Sequence, residues 1–241
     1  MKTAIIGKGR TGGALLSLLD DNQIIGPFGR SNPATLDALK RAEVAICFVP
    51  GEAMPDLMPL LLKANLPVVW GVTGYQWPET INQQLVDAGL TWVKGHNFSL
   101  TMPLVKHALN ALGLIKSLDP SSDFAIHEIH HTGKLDAPSG TALSWGEWLV
   151  DQQAGFGLDD INITSDRVGD VVGDHKITIT SGDETITLHH QAHDRRLFAR
   201  GALWAAEQLY AATKAGPQKL AAGMVDFHTL IDAHLSLQVK N

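Results

Sequence analysis

The sequence has few of the residues that mark several common classes of protein. Its 241 residues include one cysteine, Cys47, which excludes an intrachain disulfide framework and a metal site built from cysteines alone. Cys47 lies in an apolar run, where a buried structural thiol is expected rather than a nucleophile. The chain has no run of basic residues, and its formal net charge of −6 argues against a general nucleic-acid binder.

Long apolar segments are lacking as well. No part of the sequence approaches the roughly 20 uninterrupted apolar residues that a membrane-spanning helix needs. The chain runs from Met1 directly into a short strand-like segment and a glycine loop, without the features of a signal peptide. We therefore expect a cytoplasmic protein. The remaining composition, 44% hydrophobic and 18% charged, is typical of a globular protein with a sizeable core.

The first hundred residues alternate short apolar runs with amphipathic stretches of helical length. Strands followed by helices of this length are typical of βαβ crossovers, which build parallel sheets covered on both faces. The pattern predicts an α/β fold with a Rossmann-like, doubly wound parallel sheet. Its expected strands are residues 3–6, 23–28, 44–49, 67–70 and 91–93.

The pattern changes near residue 100, where we expect a domain boundary. A helix and a strand lead to three runs of period-two alternation that have no helices between them. Consecutive strands of this kind indicate a second, α+β domain with a mixed or antiparallel sheet. We expect residues 1–100 to form the first domain and residues 101–214 the second, with a further helix over residues 219–235.

A glycine-rich loop follows the first expected strand and opens a helix. Gly7, Gly9 and Gly12 form the pattern Gly-x-Gly-x-x-Gly. In a dinucleotide site these glycines permit the tight turn, the approach of the backbone to a pyrophosphate and the packing of the helix on the strand. A structural turn would be the alternative. The context favours a cofactor loop made of Gly7, Lys8, Gly9, Arg10, Thr11 and Gly12.

The end of the second strand indicates which dinucleotide binds. An acidic residue there would favour the free 2′-hydroxyl of NADH. The sequence instead offers Arg30 beside Ser31, and a guanidinium suits the 2′-phosphate of NADPH. We therefore expect NADPH to be preferred, with NADH as the alternative.

Two other loops follow strands at the expected carboxyl edge of the first sheet. Ligands of open α/β sheets bind at this edge, so both loops are candidates for the nicotinamide side of the cofactor. Loops of such composition are also common as ordinary turns. The candidate residues are Gly71, Val72 and Thr73 in one loop, and Gly95, His96, Asn97 and Phe98 in the other.

Residues 128–143 are the most informative segment, reading Glu-Ile-His-His-Thr-Gly-Lys-Leu-Asp-Ala-Pro-Ser-Gly-Thr-Ala-Leu. The adjacent His130 and His131 would point to opposite faces of a strand. Lys134 follows as a cation where the chain must turn. A histidine and a lysine held together can transfer a proton and hold an anion.

A helix is expected to begin directly after this turn. Pro138 and Ser139 suit the start of a helix, and Ser139 is a good N-cap. The N–H groups around Ser139, Gly140 and Thr141 would then face an anion, most naturally a carboxylate. The alternative is a structural cap without a ligand.

Eleven histidines raise the question of a zinc site. The sequence has no His-Glu-x-x-His, no cysteine pair and no other standard zinc spacing. We therefore expect no metal site.

Taken together, these motifs resemble the dihydrodipicolinate reductase family, also called 4-hydroxy-tetrahydrodipicolinate reductases. Residues 128–143 resemble its signature almost throughout. The glycine loop, residues 71–74 and residues 97–99 resemble its cofactor loops, and residues 167–175 resemble its central strand and turn. The loop is one residue shorter than is usual in that family, and the acidic residue that often helps these enzymes accept NADH is absent before Arg30.

The resemblance implies an NAD(P)H-dependent reduction of 4-hydroxy-tetrahydrodipicolinate to tetrahydrodipicolinate, in diaminopimelate and lysine biosynthesis. It implies that His130 donates or accepts the proton and that Lys134 both donates a proton and contacts the substrate. It also implies a homotetramer formed through the second domain and a tail, residues 215–241, that packs back on the first. The implied substrate-binding residues are His131, Lys134, Ser139, Gly140 and Thr141.

Two other functions remain open from sequence. One is a related reductase that acts on another imino or keto acid. The other is a protein that binds NADP(H) as a sensor without catalysis, although such a protein would not need a proton donor.

Overall fold

A computed structural model describes residues 1–151, 153–215 and 220–238. The chain divides into two compact units. The first contains Met1–Leu100 together with Arg195–Asn241, and the second contains Thr101–Asp194. The second unit is therefore inserted between two parts of the first.

The first unit contains a parallel sheet, as the sequence predicts, and this sheet has six strands rather than the expected five. Its strand order is β10-β5-β4-β3-β1-β2, and each pair of neighbours is parallel. The order reverses at β1, so the edge between β1 and β3 is the usual ligand position in such a sheet. The strands are β1 (Thr3–Ile6), β2 (Ile24–Phe28), β3 (Val44–Cys47), β4 (Val68–Trp70), β5 (Thr91–Lys94) and β10 (Gly223–Asp226).

Helices cover both faces of this sheet and create two apolar clusters. The central strands are fully buried, which explains why their sequences are continuously apolar rather than alternating. Cys47 is buried in one of these clusters, as expected for a structural thiol. The helices are α1 (Arg10–Leu16), α2 (Leu36–Leu39), α3 (Met54–Lys63), α4 (Ile81–Ala88), α8 (Arg196–Ala215) and α9 (Phe227–Gln238).

Helix α8 lies in the first unit, whereas the sequence predicts that residues up to 214 belong to the second. Its buried face is made mostly of alanines, which let the helix approach the sheet closely. Gly201 shows how close this approach is, because a Cβ there would lie 1.7 Å from the carbonyl oxygen of Phe98. Small side chains at helical spacing, rather than large apolar ones, therefore fix the position of α8.

The tail contains a strand that the sequence does not predict. Residues 219–235 were expected to be helical, but Gly223–Asp226 forms β10, which pairs with β5 at the edge of the sheet. Helix α9 follows directly. Residue 219, the expected first residue of that helix, lies outside the described residues. A four-residue strand has too short a pattern to be recognised before its partner is known.

The second unit contains a four-stranded sheet with the order β7-β6-β8-β9. The pairs β6–β8 and β8–β9 are antiparallel, but β6 and β7 are parallel because helix α7 crosses between them. The sheet is thus mixed. Its strands are β6 (Asp123–His130), β7 (Ile161–Arg167), β8 (Gly173–Ser181) and β9 (Glu184–Ala192), and its helices are α5 (Met102–Gly113), α6 (Ile115–Leu118) and α7 (Gly140–Val150).

Period-two burial along β6 determines which side chains share a face. Phe124, Ile126, Glu128 and His130 are all buried, whereas the residues between them are half-buried. The first two belong to the apolar core formed with α5 and α7. Glu128 and His130 therefore extend the core-facing side of the strand as a polar continuation at its carboxyl end.

Within the ranges described above, no helix is long and apolar enough to cross a membrane.

Candidate active site

The glycine loop of the first unit has the close packing that its sequence predicts. Gly7 has a φ of +104°, and a Cβ there would lie 2.0 Å from the carbonyl oxygen of Phe48. A Cβ on Gly12 would lie 2.0 Å from the carbonyl oxygen of Gly7. Around Gly9, in contrast, a Cβ would meet nothing within 4 Å. Two glycines are thus required by the fold, and the middle one leaves space where a ligand can approach the backbone.

A cavity of about 820 Å³ lies beside this loop, between the carboxyl ends of β1, β2 and β3. Its volume is within the range of small-molecule and cofactor sites. Gly7, Lys8 and Gly9 line it together with Arg30 and Ser31. Arg30, the residue expected to meet a 2′-phosphate, is thus part of the wall of this cavity.

Two carboxylates outside the predicted cofactor residues also line this cavity. Glu52 lies just before α3, and Asp56 lies in its first turn. Both residues are exposed. They bring negative charge to the cavity that Arg30 also lines, so the charge of its lining is mixed.

The two further candidate loops follow β4 and β5 at the carboxyl edge of the sheet. Thr73 and His96 are exposed there, whereas Val72 is buried. Gly71 packs tightly, because a Cβ would lie 2.2 Å from the ring of Phe48. The structure thus places the exposed Thr73 and His96 where a ligand can reach them.

Phe98 and Asn97 are less available to a ligand than their positions in sequence suggested. Phe98 is buried in the core, with its ring centroid 4.6 Å from that of Phe227. Oδ1 of Asn97 accepts a hydrogen bond from the backbone N–H of Ser99, at 2.9 Å, and so stabilises the turn. Both side chains have structural roles that the sequence pattern does not distinguish from binding.

In the second unit, Glu128 is the centre of a buried polar cluster. Its side chain is fully buried, and its Oε1 accepts hydrogen bonds from the backbone N–H of Ser139, at 2.9 Å, and from Nη2 of Arg167, at 3.2 Å. Its Oε2 lies 3.3 Å from Nδ1 of His130 and 3.5 Å from Nε2 of His175. Burial raises the pKa of Glu128, but hydrogen bonds from its neighbours outweigh this and hold that pKa well below its usual range.

His130 is buried at the end of β6, with 9% of its side chain exposed. Burial, together with the nearby charges of His175, Lys134 and Arg167, lowers the pKa of His130 to about 4, although Glu128 acts in the opposite direction. The imidazole is therefore neutral near pH 7 in the protein without substrate. A titratable group with a strongly perturbed pKa is typical of a reacting centre.

Lys134 is paired with a carboxylate in the following loop. Its Nζ donates to both carboxylate oxygens of Asp136, each at 2.8 Å. The lysine side chain is 23% exposed, and that of Asp136 is 58% exposed. The pair lies at the surface, where a carboxylate of a ligand could compete for the ammonium. Neighbouring His131 is half-buried just after the end of β6.

Ser139 is the N-cap of α7, and its polar groups are used within the protein. Its Oγ accepts from the N–H of Ala142 at 3.2 Å and lies 3.2 Å from Nε2 of His175. Its own N–H donates to Glu128. The N–H groups of Gly140 and Thr141 belong to the first turn, which has no intrahelical acceptors. An anion would therefore meet Gly140 and Thr141 more readily than the buried Ser139.

Arg167 and His175 belong to the same cluster but were not among the predicted site residues. Arg167, at the end of β7, also donates to the carbonyl oxygens of Lys134 and Asp136 and so ties that loop to the sheet. His175, on β8, lies opposite Glu128 in the strand register. The sequence does mark both residues, since they lie in the segment 167–175 that resembles the family. Their contact with Glu128 depends on strand pairing, which the sequence does not show.

One group among the side chains that the structure describes could hold a metal ion. It consists of Glu128, His130 and His175, whose ligand atoms lie within 4.8 Å of one another. Arg167 places a positive charge 3.2 Å from the same carboxylate, which disfavours the addition of a cation. The cluster is better explained as an ion-pair network, and the absence of a metal site stays a prediction.

Comparison with known families supports the resemblance. The family model described as the C-terminus of dihydrodipicolinate reductase matches residues 99–227, more than half of the chain. This stretch includes the whole buried cluster around Glu128 and the signature in residues 128–143.

Curated relatives with the name 4-hydroxy-tetrahydrodipicolinate reductase match a longer part of the chain. The protein of Parvibaculum lavamentivorans is 36% identical over 196 residues, which are 72% of this chain and 70% of that protein. The protein of Methanopyrus kandleri is 35% identical over 184 residues, which are 70% of this chain and 66% of that protein. That of Haloarcula marismortui is 27% identical over 83% of this chain and 90% of its own length.

A solved structure shares the fold over almost the whole chain. It is a dihydrodipicolinate reductase from Paenisporosarcina sp. TG-14 with bound dipicolinate, and it matches with a TM-score of 0.69 at 20% identity. The match covers 96% of this chain and 98% of that one. At this identity the likeness concerns the fold.

Proposed function

The chain belongs to the dihydrodipicolinate reductase family and carries out its reaction, the nicotinamide-dependent reduction of 4-hydroxy-tetrahydrodipicolinate. We propose that His130 and Lys134 supply the proton of this reaction and that NADPH is the preferred reductant. The observation that carries this assignment of residues is the buried cluster around Glu128. It brings the perturbed imidazole of His130, the ammonium of Lys134 and the first turn of α7 into one unit.

The substrate is a dianion, and the proposed site offers matching positive groups. We assign one carboxylate to Lys134, which exchanges its partner Asp136 for the substrate, and the other to the N–H groups of Gly140 and Thr141. His131 and Ser139 complete the proposed binding residues, with Ser139 acting through the cap that it forms. Neutralising both carboxylates favours the flow of electrons into the substrate ring.

Loss of the 4-hydroxyl group as water leaves a conjugated imine. The bound nicotinamide would supply a hydride to this imine, and one proton from the protein completes the two-electron reduction. The negative charge of the bound substrate raises the pKa of His130 from its low value in the free protein, so that the imidazole can carry and deliver that proton. Lys134 is the second donor and also holds the substrate in place.

We assign the cofactor to the glycine loop and the adjoining cavity. The open backbone at Gly9 and the N-terminus of α1 would hold the pyrophosphate, and Arg30 would pair with the 2′-phosphate. The remaining cofactor residues in this proposal are Lys8, Arg10, Thr11, Gly12, Gly71, Val72, Thr73, Gly95, His96, Asn97 and Phe98. Glu52 and Asp56 line the same cavity, so the preference for NADPH is expected to be moderate rather than absolute.

A cytoplasmic homotetramer completes the proposal. The second unit would form the contacts through the face of its sheet opposite α5 and α7, where His127, Lys176 and Thr178 lie half-buried or exposed. Light scattering coupled to gel filtration would measure the assembly directly, and a monomer would contradict this part.

The reaction can be tested with substrate made in the cuvette from pyruvate and aspartate semialdehyde by a dihydrodipicolinate synthase. We expect synthase-dependent oxidation of NADPH, and slower oxidation of NADH. His130→Ala and Lys134→Ala should each lower turnover by about two to four orders of magnitude while leaving NADPH affinity almost unchanged. A variant that keeps the original turnover would remove its residue from the mechanism.

The cofactor preference needs its own variant. Arg30→Ala should raise the Michaelis constant for NADPH much more than that for NADH, because only NADPH carries the 2′-phosphate. Lys63→Ala removes an exposed cation from the C-terminal end of α3 and serves as the control for loss of positive charge. Equal effects of Arg30→Ala on both cofactors would contradict the proposed contact.

A further inference from the structure

A single buried carboxylate joins the reacting histidine to the elements that frame it. Oε1 of Glu128 is used by the backbone N–H of Ser139 and by Arg167, at 2.9 and 3.2 Å. Oε2 faces the imidazoles of His130 and His175, at 3.3 and 3.5 Å. The two oxygens of one side chain therefore serve two different parts of the cluster.

We propose that Glu128 is a positioning residue of the reaction, which fixes His130 relative to the start of α7 and places a negative charge beside its imidazole. This inference rests on the proposed role of His130 as the proton donor. Glu128 itself is fully buried and would act through His130 and Ser139 rather than by contact with the substrate.

The geometry confines the imidazole of His130 on two sides. Its Nδ1 lies 3.3 Å from Glu128, while a Cβ on Gly173 would lie 3.2 Å from its Nε2. Glycine at the start of β8 thus leaves the ring just enough room, and the carboxylate lies against the opposite edge. Reaction rates depend steeply on such placement, since a small displacement of a reacting group can cost a large factor in rate.

The same carboxylate ties the ring to the helix N-terminus. Because Oε1 accepts from Ser139, the first turn of α7 cannot move away from β6 without breaking this hydrogen bond. Arg167 holds the carboxylate from the other side and also binds the carbonyl oxygen of Lys134. The proton donor, the lysine loop and the anion-binding turn therefore share one anchor.

The charges around His130 explain why an acidic residue, Glu128, occupies this position. The groups that face the imidazole are Glu128 on its own strand, Arg167 on β7, His175 on β8 and Lys134 in the loop. The last three, when charged, all oppose protonation of His130, and so does burial. Among these four groups Glu128 alone favours the imidazolium. Without its negative charge, a proton would be still harder to place on His130.

Two substitutions separate the effect of the charge of Glu128 from the effect of its side-chain length. Glu128→Gln keeps an oxygen for Ser139 but removes the charge, so we expect the pKa of His130 to fall by at least about one unit. In the pH–rate profile, the decrease in rate with rising pH should then occur at lower pH. In addition, kcat should drop by about 10- to 100-fold, with a smaller change in the KM of the substrate. Glu128→Asp keeps the charge but is too short to hold Ser139, so the KM should rise and the pH limb should stay in place.

The measurement is a titration of the His130 ring protons by NMR, together with pH–rate profiles and NADPH binding. Asp123→Asn is the matched control, because it makes the same change at the exposed start of the same strand, and it should leave all three readouts unchanged. The NMR titration needs no substrate. A failure of the proposed reaction would therefore appear as inactivity of the unsubstituted protein, independently of the pKa result.

The competing explanation is that Glu128 only stabilises the fold. In that case both variants would lower the melting temperature and the active fraction, while the pKa of His130, the pH limb and the KM would stay at their original values. That result would overturn the proposal, as would a folded Glu128→Gln protein with a kcat within about twofold of the original. If neither variant folds, a purely structural role is the correct one and the proposal fails.

Discussion

The burial of His130 has a consequence for stability that can be measured without substrate. An ordinary histidine takes up a proton near pH 6.5, but burial and neighbouring cations lower the pKa of His130 to about 4 in the folded protein. Between these two values the unfolded chain binds a proton that the folded protein does not. Stability from this group is therefore present above about pH 6.5 and is lost as the pH falls toward 4.

The size of this loss follows from the two pKa values. One pKa unit corresponds to about 1.4 kcal/mol, and most of the interval is crossed between about pH 7 and pH 5. His130 should therefore account for about 2 kcal/mol of lost unfolding free energy over that range. This is a large part of the stability of a typical domain. Working above pH 5 keeps most carboxylates ionised in both states.

The assay compares the protein with His130→Gln at about pH 7 and pH 5 by urea denaturation. Amide exchange along β6 should be measured in parallel, because it reports on the second unit by itself. Between pH 7 and pH 5 the unfolding free energy of His130→Gln should fall by about 2 kcal/mol less than that of the unsubstituted protein. His193→Gln changes an exposed histidine, and its unfolding free energy should fall as much as that of the unsubstituted protein. If His130→Gln loses as much stability as the unsubstituted protein, the argument from burial is wrong.

Four other outcomes are expected. Gly9→Ala should fold normally, because its Cβ meets nothing in the protein, but it should bind NADPH more weakly, because this Cβ fills the space left for the pyrophosphate. Gly13→Ala is the control, since a Cβ there also meets nothing within 4 Å. Gly7→Ala should instead lower the unfolding free energy by at least about 1–3 kcal/mol, because of its positive φ and the contact with Phe48. Asp136→Asn should lower the KM of the substrate, by no more than about fivefold, since an exposed ion pair contributes at most about 1 kcal/mol; a rise would show that Asp136 helps to hold Lys134 for the substrate. Treatment with a chelator should leave activity unchanged, and a loss that zinc restores would assign Glu128, His130 and His175 to a metal instead.

The elements of the first unit could be predicted because their signals are local. Val44–Cys47 and Val68–Trp70 are fully buried strands with continuous apolar sequences, and each lies within the expected range. The glycine loop was recognised because its steric requirements act over six neighbouring residues. By contrast, Gly223–Asp226 was missed, since its identity as a strand depends on pairing with β5.

The candidate site divides in the same way. His130 and Lys134 lie in one continuous segment, so their residue types pointed to proton transfer and anion binding, whereas their separate roles rest on the family resemblance. Arg167 and His175 reach Glu128 from two other strands, and no spacing along the chain indicates this. One signal was available within β6, because period-two alternation places Glu128 on the same face as His130.

Phe98 shows the limit of an inference from position alone. Its position after a strand at the carboxyl edge made it a candidate cofactor residue, yet its side chain packs in the core against Phe48 and Phe227. Position in a loop indicates where the backbone lies, but the direction of a side chain depends on what packs around it.

The pairing of β10 with β5 has a consequence for how the chain is made. A ribosome synthesises residues 91–94 early, but their neighbour in the sheet, residues 223–226, emerges only after the whole second unit. Until then one edge of the nascent sheet offers unpaired backbone groups, and α8 and α9 have yet to cover one of its faces. The inserted unit can complete its own core first, so the part of the protein that begins the chain is the last to be finished.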